Sequence, residues 1–162
     1  MKLLEGISNS VLEDQYTPLP HPLFSAEAVR EIDRTAIKDH AANGFELMSK
    51  AARFSFHSLI KQWPKTQNLI IVCGSGNNAG DGYILATLAK QQGMNVVVIC
   101  QQIQKELTGD AKQAQKAWQN INGATQAFAT FEPSQYDLIV DALLGTGVTG
   151  AVKPAFQSVI NH

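Results

Sequence analysis

The residues best suited to chemistry lie in one glycine-rich stretch that directly follows an apolar run. This first glycine segment, Gly74–Gly82, reads Gly-Ser-Gly-Asn-Asn-Ala-Gly-Asp-Gly. Four of its nine residues are glycines, and the others are small or polar. Glycines let a backbone approach an anion closely. If a helix follows, its first N–H groups and its partial positive charge favour phosphate. The segment therefore predicts nucleotide binding.

Three polar side chains of this segment are candidates for contacting a ligand. Asn77 and Asn78 offer both donors and acceptors. A plain turn would account for one asparagine, so an adjacent pair favours ligand binding. Asp81 has two interpretations at this stage, because a carboxylate at a helix start can cap the helix or can contact a ligand.

The details of the first glycine segment disfavour two common nucleotide-binding motifs. No Lys-Ser or Lys-Thr pair follows the glycines, so the segment is not a P-loop. A dinucleotide dehydrogenase is also disfavoured. The glycine spacing is not that of G-x-G-x-x-G, and the next strand closes on Cys100 and Gln101 rather than on an acidic residue that would hold a ribose.

A second glycine segment, Gly145–Ala151, follows another apolar run that closes on Asp141. The carboxyl ends of parallel strands form the ligand-binding edge of an open α/β sheet. We therefore expect Asp141 and the two glycine segments to share one edge. Asp141 has two interpretations: a turn cap, or an oxygen ligand for a cation or a sugar hydroxyl.

Hydrophobic periodicity places these residues in an α/β chain with alternating strands and helices. Continuous apolar runs predict buried parallel strands, and caps, prolines and glycines delimit the helices. The predicted strands are 69–73, 96–100, 124–129 and 137–141, and the predicted helices are 26–43, 45–63, 81–92, 108–120 and one opening at Pro154. This order favours a three-layer, Rossmann-like open parallel sheet. Residues 1–23 are expected to form an irregular lead-in, and residues 24–162 one domain.

Composition narrows the classes of partner. The chain has 13 basic and 14 acidic residues and a net charge of −1, so nucleic acid is not an expected ligand. No apolar run approaches the roughly 20 residues that span a bilayer, and no membrane association is expected. Cys73 and Cys100 each close a predicted buried strand, which is typical of inert thiols in a reducing compartment. We therefore expect a cytoplasmic protein.

Taken together, the two glycine segments resemble the paired signatures of the NAD(P)H-hydrate epimerases, the YjeF N-terminal domain family. The stretch 74–83 is similar to that family's G-x-G-N-N-G/A-G-D-G motif, and 137–147 to its second motif. The segment 46–52 is similar to its Leu-Met-x-x-Ala-Gly stretch. The resemblance implies epimerisation at C6 of the hydrated nicotinamide ring of NADHX and NADPHX, from the R to the S form. It is closest to bacterial forms fused to a C-terminal dehydratase.

The resemblance also implies roles for individual positions. A potassium ion would be bound by Asn78 and Asp141. Substrate would be bound by two groups of residues: Asn77, Asn78, Ala79, Gly80 and Asp81, and then Gly145, Thr146, Gly147, Val148, Thr149, Gly150 and Ala151. The implied partners are the S-specific NAD(P)H-hydrate dehydratase and a second copy of the chain in a homodimer.

The chain departs from the family pattern in two places. Thr149 stands where members often carry a basic residue, which weakens the expected contact with phosphate. The chain also stops at His162, before the family's Asp-x-Pro-Ser-Gly segment with its acidic catalytic residue and a further potassium ligand. We therefore expect a partial domain that is inactive by itself, and assign no catalytic residue.

One alternative function belongs to another class. Domains of this fold also serve as non-enzymatic nucleotide-binding or dimerisation modules, and the fold alone does not separate these from enzymes. The polar set Asn77, Asn78, Asp81 and Asp141 favours the enzyme, since a scaffold needs none of these groups.

Overall fold

The fold was obtained as a computed structural model, which describes residues 24–39, 43–101, 106–128, 132–146, 148 and 150–161. The predicted irregular lead-in, residues 1–23, lies outside this part of the chain. The helices are α1 (Ala26–Asp39), α2 (Gly44–Gln62), α3 (Asn77–Gln91), α4 (Gly109–Asn120) and α5 (Pro154–Ile160), with a 3-10 turn at Pro133–Gln135. The strands are β1 (Asn68–Cys73), β2 (Asn95–Cys100), β3 (Ala124–Ala127) and β4 (Leu138–Ala142).

The four strands form one parallel sheet in the order β3-β2-β1-β4. Strand β1 lies at the centre, and its last residue, Cys73, is in register with Cys100 of β2 and Ala142 of β4. The three strands therefore end level with one another. The predicted α/β class, with β1, β2 and β4 adjacent and parallel, is confirmed.

Strand β1 is apolar at every buried position because helices cover both of its faces. Leu69, Ile71 and Cys73 pack on one side against a core to which α2, α3 and α4 contribute. Ile70 and Val72 face the other side, where Leu143 and Phe156 of α5 cover them. Each fully buried aliphatic side chain of this kind contributes roughly 1.5–3 kcal/mol, so β1 anchors the edge on which the glycine segments lie.

Helix α3 begins at Asn77, earlier than the predicted start at Asp81. Gly76 is its N-cap residue, with extended backbone (φ −108°, ψ −166°) and no side-chain capping bond. The interpretation of Asp81 as an N-cap is therefore wrong, since this residue lies inside the helix. The two asparagines, expected in a loop, occupy the first helical turn. Pattern reasoning missed this start because Asn and Gly both have low helix propensity.

Strand β4 begins at Leu138, one residue after the predicted Asp137. Oδ2 of Asp137 accepts the backbone N–H groups of Gln67 at 2.9 Å and of Asn68 at 2.8 Å. The backbone N–H of Asp137 also donates to the carbonyl oxygen of Asn68 at 2.9 Å. Asp137 therefore fastens the start of β4 to the start of β1 through both its side chain and its backbone. Other boundaries shift slightly: β3 ends at Ala127, and Thr108 occupies the N-cap position of α4 without a side-chain bond.

The two cysteines are buried side by side in the sheet. Cys73 is 0% exposed and Cys100 is 5% exposed, and the register places them opposite each other on neighbouring strands. Burial raises the pKa of the Cys73 thiol well above its usual value. Both are thiols rather than partners in a disulfide.

Strand β4 has a neighbour on one side only in the described part of the chain. An apolar groove of about 520 Å³ runs along it beside α2, with Phe54, Trp63 and Ile139 in its lining. Within the same residues, no helix combines the length and the apolar character needed to cross a bilayer.

Candidate nucleotide-binding site

The two glycine segments meet at the carboxyl ends of β1 and β4, as the shared-edge prediction requires. The backbone N–H of Gly74 donates to the carbonyl oxygen of Ala142 at 3.0 Å, which continues the pairing of the strands. A Cβ at position 74 would collide with the carbonyl oxygen of Leu143. Glycine is therefore required here by the close approach of one backbone to the other.

Asn78 joins the two segments directly. Its side-chain Nδ2 donates to the carbonyl oxygen of Leu144 at 3.1 Å. Next to this bond, a Cβ at Gly145 would lie 3.3 Å from the Cβ of Asn78. The first turn of α3 and the start of the second glycine segment thus form one packed unit.

A cleft of about 720 Å³ opens above this unit. Its lining comes from α1, both glycine segments and the start of α5, and comprises Arg30, Asp33, Ser75, Gly76, Asn77, Asn78, Asp81, Leu143, Leu144, Gly145, Thr146, Val148, Ala151, Val152, Lys153 and Phe156. The volume lies within the range typical of small-molecule sites. The cleft therefore brings together most of the substrate-binding residues that the sequence predicts.

Asp81 is a half-buried carboxyl group in the wall of the cleft. Its burial disfavours the charged form and raises its pKa to about 6. The position one turn after the uncapped start of α3 would by itself favour the anion, so desolvation is the larger effect. Asp81 can therefore change its charge near neutral pH.

Helix α1 contributes to the cleft, which the sequence did not predict. Nη1 of Arg30 donates to the carbonyl oxygen of Thr146 at 2.7 Å, and Asp33 lines the same cavity one turn further along the helix. Arg30 and Asp33 are typical polar residues of an amphipathic helix, so their residue types did not indicate a binding site. The partner of Arg30 is 116 positions away in the chain.

Asp141 lies at the end of β4 and is exposed. Its Oδ1 accepts the backbone N–H of Leu143 at 2.9 Å. This is the geometry of the turn-cap interpretation. The carboxylate retains a second oxygen and further lone pairs, and a role as a cation ligand stays a prediction.

The remaining predicted substrate-binding residues differ in their burial and backbone conformation. Ala79 is 0% exposed and belongs to the core, and Gly80 packs against Met48 so closely that a Cβ would lie 2.6 Å from the methionine sulfur. Both residues pack against the core, so a ligand could contact them only through their backbone. Gly150 has φ +77°, a conformation that favours glycine. Gly147 and Thr149 lie outside the described residues.

A sequence profile described as YjeF-related protein N-terminus matches residues 44–162 of the chain. The chain belongs to this family. Helix α1, which carries Arg30, precedes the matched range.

Several curated proteins are similar to this YjeF-related chain. The bifunctional NAD(P)H-hydrate repair enzyme Nnr of Escherichia coli is 36% identical over 144 residues, covering 89% of this chain and 28% of that protein. The NAD(P)H-hydrate epimerase of Rhodobacter capsulatus is 31% identical, with 78% of this chain and 63% of that protein covered. That of Rhodopirellula baltica is 32% identical, with 96% and 65% covered.

The fold of this YjeF-related domain also matches a solved structure. The crystal structure of yeast ynu0, YNL200c, superposes with a TM-score of 0.73 at 22% sequence identity, covering 87% of this chain and 64% of the other. This likeness supports the α/β fold. The chain spans about a quarter of the E. coli repair enzyme and somewhat under two thirds of the two epimerases.

Proposed function

We propose that this chain is part of an enzyme that epimerises the hydrated nicotinamide ring of NADHX and NADPHX at C6, converting the R form into the S form. One observation carries the proposal: the two glycine segments are fastened to each other by Asn78 and enclose a cleft lined by Asn77, Asn78 and Asp81. The names of the epimerase relatives, at 31% and 32% identity, support the same activity.

The start of α3 is suited to a phosphate of the nucleotide. Gly76 provides no side chain to cap the first N–H groups of the helix, and a Cβ at this position would meet nothing within 4 Å. The backbone of the first turn is therefore accessible from the cleft. A helix N-terminus of this kind combines N–H donors with a partial positive charge, which favours an anion.

The chemistry requires proton transfer at one carbon and no redox partner. C6 of the hydrate bears a hydroxyl group beside the ring nitrogen. When this hydroxyl accepts a proton and leaves as water, the nitrogen lone pair forms an iminium. Water then adds to the opposite face and loses a proton. An acid/base group at the ring is needed for both steps, and we assign this role to no described residue.

The proposal includes a potassium ion held by Asn78 and Asp141. The donor set fits a hard cation, because both residues offer oxygen ligands. The amide nitrogen of Asn78 is used by Leu144, which directs its amide oxygen away from that carbonyl. Asp141 uses one oxygen for Leu143 and has the other for a cation. The ion would supply positive charge close to the phosphates and hold the two glycine segments together.

We further propose three properties of the complete protein. The names of the bifunctional relatives support a fused NAD(P)H-hydrate dehydratase that consumes the S form. The two buried thiols support a cytoplasmic location. A homodimer follows from the family resemblance, and sedimentation of the full-length protein would test it.

The test is an epimerisation assay on the full-length protein. The R hydrate is supplied with an excess of a separately prepared S-specific dehydratase, and consumption of the hydrate is followed after subtraction of the uncatalysed rate. If the protein has its own dehydratase, that activity is first inactivated by mutation. Acceleration supports the proposal. Nucleotide binding without acceleration would favour the non-enzymatic module, and the absence of both would reject the nucleotide site.

A further inference from the structure

The glycine segments that enclose the cleft contain no positively charged residue. The sequences of 74–82 and 145–151 include neither Lys nor Arg. A dinucleotide carries at least two phosphate charges, and backbone N–H groups neutralise such charges only in part. Among the described residues that line the cleft, the positive side chains are Arg30 of α1 and Lys153 at the start of α5. The positively charged side chains of the cleft therefore come from outside both glycine segments.

Arg30 is fixed in place without being neutralised. Its Nη1 donates to the backbone carbonyl of Thr146 at 2.7 Å, and a carbonyl carries no net charge. In the described part of the chain the ion pairs are Arg34–Glu31 and Lys112–Glu106, so the charge of Arg30 is not used in one. A guanidinium has five N–H donors in a planar fork that matches phosphate oxygens. Most of these donors stay available at the exposed side of Arg30.

Lys153 approaches the cleft from a different element. It is the N-cap residue of α5, has extended backbone (φ −62°, ψ 143°) and is exposed. Its backbone carbonyl accepts the N–H groups of Phe156 and Gln157, which fixes the main chain of this cleft-lining residue. Two carboxyl groups, Asp33 and Asp81, line the same cleft, so binding a phosphate there requires positive side chains.

We propose that Arg30 and Lys153 bind a phosphate group of the nucleotide, and that α1 is therefore part of the binding site. This inference rests on the proposed function and adds two binding residues to it. The ligand chemistry is a phosphate, either the diphosphate shared by NADHX and NADPHX or the 2′-phosphate found in NADPHX alone. The bond to Thr146 orients the guanidinium, and Lys153 adds the second charge.

The experiment measures the affinity of the full-length protein for NAD+ and NADP+, used as unreactive probes, by calorimetric titration at several salt concentrations. The variants are Arg30→Ala and Lys153→Ala. Arg34→Ala is the matched control, because Arg34 lies one turn further along α1 and pairs with Glu31 instead. Loss of a charged hydrogen bond should weaken binding by about tenfold to a hundredfold. Binding by Arg30→Ala should also depend less steeply on salt.

The two probes separate the two phosphate sources. Equal weakening for NAD+ and NADP+ assigns the pair to the diphosphate, and weakening confined to NADP+ assigns it to the 2′-phosphate. Arg30→Lys keeps the charge without the planar fork and should give an intermediate loss. It also preserves the test if Arg30→Ala fails to fold.

Two results would overturn the inference while leaving the proposed function intact. One is an affinity for Arg30→Ala and Lys153→Ala equal to that of Arg34→Ala. The other is weaker binding with an unchanged salt dependence, which would make Arg30 only a tie between α1 and Thr146. A wild-type protein that binds neither probe would overturn both the inference and the proposed function.

Discussion

The side-chain amide of Asn78 donates to the carbonyl oxygen of Leu144 across 3.1 Å, although the two residues are 66 positions apart. The bond connects the first turn of α3 with the residue that precedes the second glycine segment. Asn78, which the family resemblance implies as a ligand of substrate and potassium, thus also holds the walls of the cleft together. Substitution of Asn78 should therefore affect the stability of the fold as well as nucleotide binding.

Replacement of Asn78 by alanine should lower both stability and nucleotide affinity. The lost hydrogen bond should cost about 1 kcal/mol of unfolding free energy, and displacement of the second glycine segment should weaken binding further. Denaturant unfolding and calorimetric titration measure the two effects. Asn77→Ala is the control, because Asn77 is exposed at the helix start and its replacement should change stability by less than about 0.5 kcal/mol. Equal stability of the two variants would contradict the bracing role.

Two glycines of the first segment should differ in how far the addition of one methyl group lowers stability. Gly74→Ala should destabilise the protein by about 1–3 kcal/mol, since its Cβ would collide with the backbone of Leu143. Gly76→Ala should cost less, on the order of 1 kcal/mol from the poorer N-cap preference of alanine, because its Cβ meets nothing within 4 Å and its backbone is extended.

The same methyl group at Gly76 should nevertheless reduce nucleotide affinity, because it occupies space in the cleft next to the first turn of α3. Thermal unfolding and titration with NADP+ together give the comparison. Full affinity in Gly76→Ala would place the ligand elsewhere, and unchanged stability in Gly74→Ala would contradict the close approach of the two segments.

The ionisation of Asp81 should make stability fall as pH rises. Its pKa in the folded protein is about 6, above the value of 3.8 that is usual for an aspartate side chain. The folded state therefore binds this proton more tightly than the unfolded state. The resulting stabilisation is complete below pH 3.8 and is lost as pH rises through 6. Asp81→Asn should accordingly be more stable than wild type at pH 8, by on the order of 1 kcal/mol after allowance for partial exposure.

Asp137→Asn provides a comparison of opposite sign for this pH dependence. Backbone N–H groups of Asn68 and Gln67 hold the pKa of Asp137 below its usual value. Its contribution is present above the usual range of aspartate and disappears in acid, so Asp137→Asn should be less stable than wild type at neutral pH. Urea unfolding at pH 3, pH 5 and pH 8 follows both variants. A stability difference for Asp81→Asn that does not change with pH would refute the first prediction.

Potassium should increase the activity of the full-length protein more than lithium at equal ionic strength. The proposed oxygen ligands, Asn78 and Asp141, would favour the larger ion only if they form a site of defined size. Asp141→Asn should reduce the difference between the two salts while retaining the bond to Leu143 that its amide oxygen can accept. Activity that responds equally to both cations would leave Asp141 as a turn cap.

The sheet could be predicted from the sequence because burial on both faces imposes an unbroken apolar pattern. Leu69–Cys73 is such a run, and its position before a glycine segment placed the site at the correct edge. The start of α3 could not be predicted, since tertiary contacts such as that of Asn78 with Leu144 override the low helix propensity of Asn. Arg30 could not be predicted either, because no local pattern connects α1 with Thr146.

The pairing of Cys73 with Cys100 across β1 and β2 gives the protein an internal reporter of its own opening. Only the thiolate reacts with aromatic disulfide reagents, and both side chains are enclosed in the native state, where burial also keeps the Cys73 thiol protonated. Labelling therefore has to wait until the central strands separate. The rate of colour development would therefore measure how often β1 and β2 separate, without the need to introduce a cysteine by mutation.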